Sequence, residues 1–264
     1  MSSFKSAATS FLGTAVLLTA VAVPALAAPA ATSPAKPVAP AVQVQKPQAQ
    51  GVVITPKTIL SETKEHAIKV NVPVISGLED KAFQAQLNAA LLKQAQDAIA
   101  ETQQGAKENA ADAKKYGYDL RPYALDISYE VQSIGKLVSF SVQTYVYTGG
   151  AHGMTDVTYY TIANQPKAKQ LTLSDLFQPG YNYRTILNQL IKQQIKEVNA
   201  KEGFEVYSFE SIADNQSFSF EKGNLVIHFS QYEIAPYAAG MPSFTIPAHR
   251  FQNLLKPDIA ALLK

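Results

Sequence analysis

Alternation with period two opens the structured part of the chain, which is expected to begin near Gly51. In HAIKVNVPVIS, Ile68, Val70, Val72 and Val74 share one face, with Lys69 and Asn71 on the other. That is the pattern of a half-buried strand. The preceding VVITPKTILSE is also rich in β-branched residues. Pro73 marks an edge strand or a strand end, because proline donates no ladder hydrogen bond. The period then changes. Phe83, Leu87, Leu91, Ala95 and Ile99 recur at helical spacing, one apolar stripe of an amphipathic helix. Ser76 and Glu79 have capping-box spacing, so the helix is expected to start there. It should reach about Ala113, with Gly105 a weak point and Gly117 beyond its end.

Alternation returns after the helix. Tyr123, Leu125, Ile127, Tyr129 and Val131 form one face, and Val138, Phe140, Val142, Thr144 and Val146 form the next. TYVYTGGAHGMTDVTYY then crosses a glycine-rich turn into a third strand, Asp156 to Ile162. The links are too short for crossovers, which predicts an antiparallel meander. A second block follows. KQLTLSDLFQPG holds a short strand or turn. Ile186, Leu190, Ile191, Ile195 and Val198 mark a helix ending at Gly203. Two strands flank a Lys222-Gly223-Asn224 turn, with Leu225, Ile227 and Phe229 on one face. A closing helix is broken at Pro257. The expected class is α+β: two small blocks, residues 51–165 and 166–264, each a mostly antiparallel sheet packed on a long helix.

The first residues change the setting. Lys5, the uncharged apolar run Phe11–Val23 and Ala25-Leu26-Ala27 read as a secretory signal peptide over residues 1–27. Its apolar core of about 13 residues falls short of the roughly 20 that span a bilayer. No stable membrane anchor is therefore expected after cleavage. Residues 28–50 are rich in proline, alanine and glutamine; such a segment buries too little apolar surface to order and reads as a disordered tether. There is no cysteine in the 264 residues, so an exported chain must hold together by packing alone. The expected location is secreted or periplasmic, associated with the cell envelope. A formal charge of +2 with no basic cluster argues against nucleic acid as partner.

Chemistry is sparse. There is no G-x-S-x-G, no cysteine nucleophile, no H-E-x-x-H and no P-loop ending to TGGAHG. No catalytic residue, metal ligand set or cofactor is assigned. His152, Asp156, His228, Glu233 and His249 are the groups that could in principle gather round zinc, although nothing in their spacing requires it. His228 lies on the strand face opposite Leu225, Ile227 and Phe229. Recognition is the better-supported class. The chain has 13 tyrosines and no tryptophan. Tyr145 and Tyr147 extend the polar strand face of Ser139, Ser141 and Gln143, beside the turn of Gly149, Gly150 and His152. Tyr232, Glu233 and Tyr237 sit in YEIAPYAAG. Glycines admit close backbone approach, and tyrosines give contact area at small entropic cost.

YTGGAHG (147–153), LTLSDLF (171–177) and YEIAPYAAG (232–240) together resemble the paired exported domains of unknown function of the lysozyme-sensing anti-sigma-V factors (RsiV-like). The same pair is similar to the non-catalytic N-terminal region of peptidoglycan deacetylases (PdaC-like). The resemblance covers roughly residues 55–256. It implies an α+β fold of two small domains, and it makes the turn and the loop signature segments. Sigma inhibition and deacetylation are not expected to carry over, because neither a cytoplasmic sigma-binding segment nor a deacetylase domain is recognised here. The expectation is a secreted, non-enzymatic envelope binding module. Its sites would be Tyr147, Gly149, Gly150, His152, Tyr232, Glu233 and Tyr237, and its ligand lysozyme, another extracellular protein or a cell-wall glycan. The alternative is an envelope hydrolase or metal-dependent enzyme using His152 and nearby carboxylates.

Overall fold

A computed structural model describes residues 51–263; the expected signal peptide and tether lie outside the described residues. A six-stranded sheet runs in spatial order β1 (Val53–Glu62), β2 (His66–Ser76), β3 (Tyr123–Ser133), β4 (Leu137–Tyr147), β5 (Met154–Ala163), β6 (Lys169–Gln170). The meander β3-β4-β5 is antiparallel. Between β2 and β3 comes the long helix α1 (Lys81–Tyr116), which carries the chain back along the sheet. β3 therefore pairs with β2 in parallel, from His66↔Tyr123 to Val70↔Ile127. The fold is α+β, with all pairings antiparallel except this one.

Several boundaries differ from the sequence reading. Helix α1 starts one turn later than the Ser76/Glu79 spacing suggests. Asp80 is its cap and accepts a hydrogen bond from Phe83 N at 3.0 Å, while Ser76 ends β2 and donates to Val53 O. The helix also passes Ala113 to end at Tyr116, with Gly117 left-handed at φ 72°. Gly105 does not interrupt it. A Cβ there would come within 2.9 Å of the Tyr123 ring, so glycine lets helix and strand close up. Pro73 stands beyond the last β2–β3 pair, opposite Pro56 of β1, where no ladder donor is needed.

After α2 (Leu173–Leu176) and α3 (Tyr183–Glu202), a second, three-stranded sheet forms from β7 (Phe218–Glu221), β8 (Asn224–His228) and β9 (Ser243–Ile246). Lys222 and Gly223 turn at φ 50° and 80°, the mirror-image hairpin turn. Short helices α4 (Ala248–Phe251) and α5 (Pro257–Leu262) follow; Pro257 opens α5 rather than breaking a helix. Two apolar clusters result. One lies between α1 and the large sheet, around Val70, Val72, Leu91, Leu125 and Phe140. The other gathers α3, the small sheet and α4, and takes in Leu137 and Ala163 from β4 and β5.

The polar face of β4 and β5 is only partly solvated. Its near half is buried under β7. β7 is the edge of the small sheet, and its free backbone groups need partners. Ser139 Oγ accepts from Phe220 N at 3.2 Å, and Thr161 Oγ1 reaches Phe218 O at 3.5 Å. Ser139 and Thr161 also bond each other at 3.1 Å. Hydroxyls of one sheet thus satisfy the edge of the other. Further along this seam His228 is buried, stacked on Tyr159 at 3.8 Å.

Candidate functional site

The β4–β5 connection, residues 148–153, projects from the far end of this seam. Gly149 has φ 82°, a left-handed bend. Tyr147 Oη donates to Gly150 O at 3.0 Å. Arg121, just before β3, donates through Nη1 to Gly149 O and Gly150 O at 3.4 and 3.3 Å. The turn is thereby held by one side chain from the end of β4 and one from just before β3. His152 donates from Nδ1 to Gly153 O at 2.9 Å.

The loop after β8 folds onto this turn. Tyr237 lies against His152 with ring centroids 4.4 Å apart, and its hydroxyl reaches Gly153 O at 3.4 Å. The Gly153 carbonyl thus faces both side chains. Tyr232 sits 5.7 Å from Tyr237, centroid to centroid, with a positive φ of 67°. Both tyrosines are solvent-accessible, Tyr232 at 52% and Tyr237 at 37%, and His152 is exposed. Thr155 N donates to Gln231 Oε1 at 3.4 Å, a second link between β5 and the loop.

The structure brings together the two sequence segments, 84 residues apart at Gly153 and Tyr237. The seven expected residues do not serve alike. Gly149, Gly150 and Tyr147 shape the turn. His152, Tyr237 and Tyr232 form a graded aromatic surface. Glu233 acts within its own loop: its carboxylate accepts from Ser230 N at 2.7 Å and from Gln216 Nε2 at 3.1 Å. Gln216 also donates to His228 O at 2.7 Å, so Glu233 fixes the loop to β8.

Gly153 and the segment 205–208 also shape the site. The Tyr145 ring occupies the space a Cβ on Gly153 would need. That makes Gly153 a packing requirement, for which the only sequence signal was its place in TGGAHG. A groove of about 430 Å³ beside Tyr232 is walled by Glu205, Tyr207, Glu233 and Pro236; the segment 205–208 carried no pattern that marked it. Backbone pairing of Ser208 N with Ile234 O at 2.8 Å sets its width.

The site has little reactive chemistry. Among the described residues no three His, Cys, Asp or Glu side chains gather as a metal-ligand set. His228 is committed to Ser219 Oγ at 2.8 Å and to Tyr159. Burial pushes its imidazole down to about 4. Tyr159 is pushed up to about 12 by burial, then by Glu221 and Glu130. These groups stabilise the seam and stay uncharged near neutral pH. Among the described residues no helix is long and apolar enough to cross a membrane.

Comparison with known proteins adds to this geometry. Residues 59–155 match the family described as Deacetylase PdaC, and residues 174–249 match a protein family of unknown function, DUF3298. Anti-sigma-V factor RsiV of Bacillus subtilis is 29% identical over 207 residues, 75% of this chain and 68% of that protein. A crystal structure of a DUF3298 member from Bacteroides fragilis superposes with TM-score 0.65 at 19% identity, covering 82% of this chain and 99% of its own. One from Pseudomonas aeruginosa gives 0.56 at 18%, covering 80% and 97%. At such identities the two structures speak to fold alone. The chain has the PdaC-like and DUF3298 domain architecture that it shares with anti-sigma-V factor RsiV.

Proposed function

We propose that this chain is an exported, non-enzymatic binding module of the bacterial envelope, and that it docks an extracellular protein of the lysozyme kind on the face built from residues 147–153 and 231–240. We also take residues 51–165 and 166–264 as its two modules, with the docking face where their loops meet. The observation that carries the reading is the His152–Tyr237–Tyr232 ladder, accessible to solvent yet positioned by the Gly153 carbonyl and the Glu233 clamp. Exposed aromatic rings held by their own loops lose little freedom on binding. The likeness to RsiV supports an extracellular sensing or binding role, and the sparse reactive chemistry of the face supports a non-catalytic one.

The test uses the exported chain, immobilised, with hen lysozyme and purified peptidoglycan as separate probes. Lysozyme should be retained, and Tyr237→Ala should weaken it by about 2 kcal/mol, roughly 30-fold, the cost of a central aromatic anchor. Retention of peptidoglycan alone, or a Tyr237→Ala variant that binds lysozyme unchanged, overturns the assignment.

A further inference from the structure

The groove beside Tyr232 carries a charge that the chain as a whole does not. It lies between the segment 205–208, which follows α3, and residues 232–236 of the loop after β8, joined by the Ser208–Ile234 backbone pair. Two carboxylates line it, Glu205 and Glu233, and no Lys, Arg or His does. The surrounding sequence has the same bias. Residues 202–221 hold Glu202, Glu205, Glu210, Asp214 and Glu221 without a lysine or arginine, and Glu233 is the only charged residue in 229–240. The formal charge of the whole chain is +2, so the negative field is local. Among the described residues the ion pairs are Lys93–Asp97, Lys169–Asp175 and Arg184–Asp214, so no internal cation neutralises either groove carboxylate.

Two carboxylates select a cation, and the remaining walls select its shape. Tyr207 and Tyr232 supply rings, and Ala235 and Pro236 supply apolar surface. A metal ion gains nothing from such walls and needs more oxygen ligands than two side chains give; among the described residues no three suitable groups gather. A lysine ammonium is compact and strongly hydrated, so it profits little from a ring. A guanidinium is planar, stacks on tyrosine and pairs with carboxylates through parallel N–H donors, and its aliphatic stem suits an apolar wall. Size agrees. At about 30 Å³ per heavy atom, a water's share of the liquid, an arginine side chain of about seven heavy atoms fills roughly 200 Å³. The groove offers about 430 Å³, enough for that side chain and the backbone that bears it. Glu233 is also pre-positioned. Its bonds from Ser230 N and Gln216 Nε2 hold the carboxylate still, and each of its oxygens keeps a second lone pair.

We propose that this groove is the specificity pocket of the docking face and takes an arginine side chain of the docked protein. The proposal rests on the docking reading above and narrows its partner to a basic protein. Tyr232 makes the two parts one surface: its ring stands 5.7 Å from that of Tyr237, centroid to centroid, and it also lines the groove. The local negative field steers a cationic partner towards the same side of the molecule.

The experiment has two arms. In the first, the ¹⁵N-labelled exported chain is titrated at constant ionic strength with arginine, lysine and citrulline, each blocked as the formyl methylamide. Citrulline keeps the shape of arginine without its charge. Expected with arginine are saturable shifts at the amides of Glu205, Val206, Tyr232 and Glu233. Lysine should bind at least about threefold more weakly, and citrulline should not saturate. Glu205→Gln should weaken arginine about fivefold. Glu210→Gln, an equally exposed glutamate of the same segment that does not line the groove, should bind as the parent does. In the second arm the immobilised chain meets hen lysozyme. Glu205→Arg should weaken retention at least about tenfold, and Glu210→Arg less than about threefold. The proposal falls if arginine gives no saturable shift, if lysine or citrulline equals it, or if the Glu205 and Glu210 variants behave alike in either arm. The first arm contains no lysozyme, which separates the two readings. Arginine binding without retention of lysozyme supports the groove and overturns the lysozyme assignment; lysozyme retained equally by the parent and Glu205→Arg overturns the groove and leaves the docking face.

Discussion

Acid should loosen the seam between the two sheets through one side chain. His228 is buried, its ring flat on Tyr159 at 3.8 Å and its Nε2 2.8 Å from Ser219 Oγ. The Ser219 hydroxyl bonds in turn to Glu221 at 3.0 Å. Burial lowers the imidazole to about 4 from an ordinary 6.5, a gap of about 3 kcal/mol. Between those values the unfolded chain binds a proton that the folded chain excludes. The stabilisation is therefore complete above about pH 6.5 and is lost as pH falls towards 4. From pH 7 to pH 5 the loss works out at about 2 kcal/mol. The assay is urea unfolding followed by circular dichroism at both pH values, for the parent chain and His228→Gln. Glutamine keeps a polar end for Ser219 but carries no titrating ring. It should cost about 1 kcal/mol at pH 7, from the lost stack on Tyr159. The parent should then lose about 2 kcal/mol more than the variant on acidification. Equal losses would refute the reasoning and would mean that Glu221, one hydroxyl away, accommodates the imidazolium.

Two further substitutions test the local arguments. Gly153→Ala puts a methyl group into the Tyr145 ring and should destabilise by about 2 kcal/mol in thermal unfolding, as overpacking does; adding Tyr145→Ala should cost less than the sum of the two single changes. Asn88 of α1 bonds both Ile75 N at 2.9 Å and Ile75 O at 2.8 Å, so Asn88→Ala should cost about 2 kcal/mol by stripping two backbone groups of partners. Asn88→Asp should not recover it, because a carboxylate cannot donate to the carbonyl.

The sequence by itself determined the elements. Side-chain period follows from local backbone geometry, so alternation in 66–76 and 123–146 and the stripe from Phe83 to Ile99 fixed strands and helix before any contact was known. It also made the glycine turn and the 232–240 loop stand out through residue types suited to recognition. The cap of α1 was misplaced because capping-box spacing recurs by chance; which candidate is used depends on where Asp80 reaches Phe83 N.

What only the tertiary structure decided concerns partners distant in sequence. The polar face of β4 carried no sign of what lies against it, since serine and threonine carry no mark of whether water or another strand edge will bond them. The β7 edge took that place. Glu233, a candidate ligand contact, also clamps its own loop, through partners its sequence context did not mark. His228 looked free of its core layer and lies buried against Tyr159, 69 residues earlier in the chain. The meeting of His152 with Tyr237 and the groove lined by Glu205 and Glu233 likewise arise only when distant loops pack together. Periodicity is a property of neighbours along the chain, whereas a site is a property of neighbours in space, and folding alone makes the second from the first.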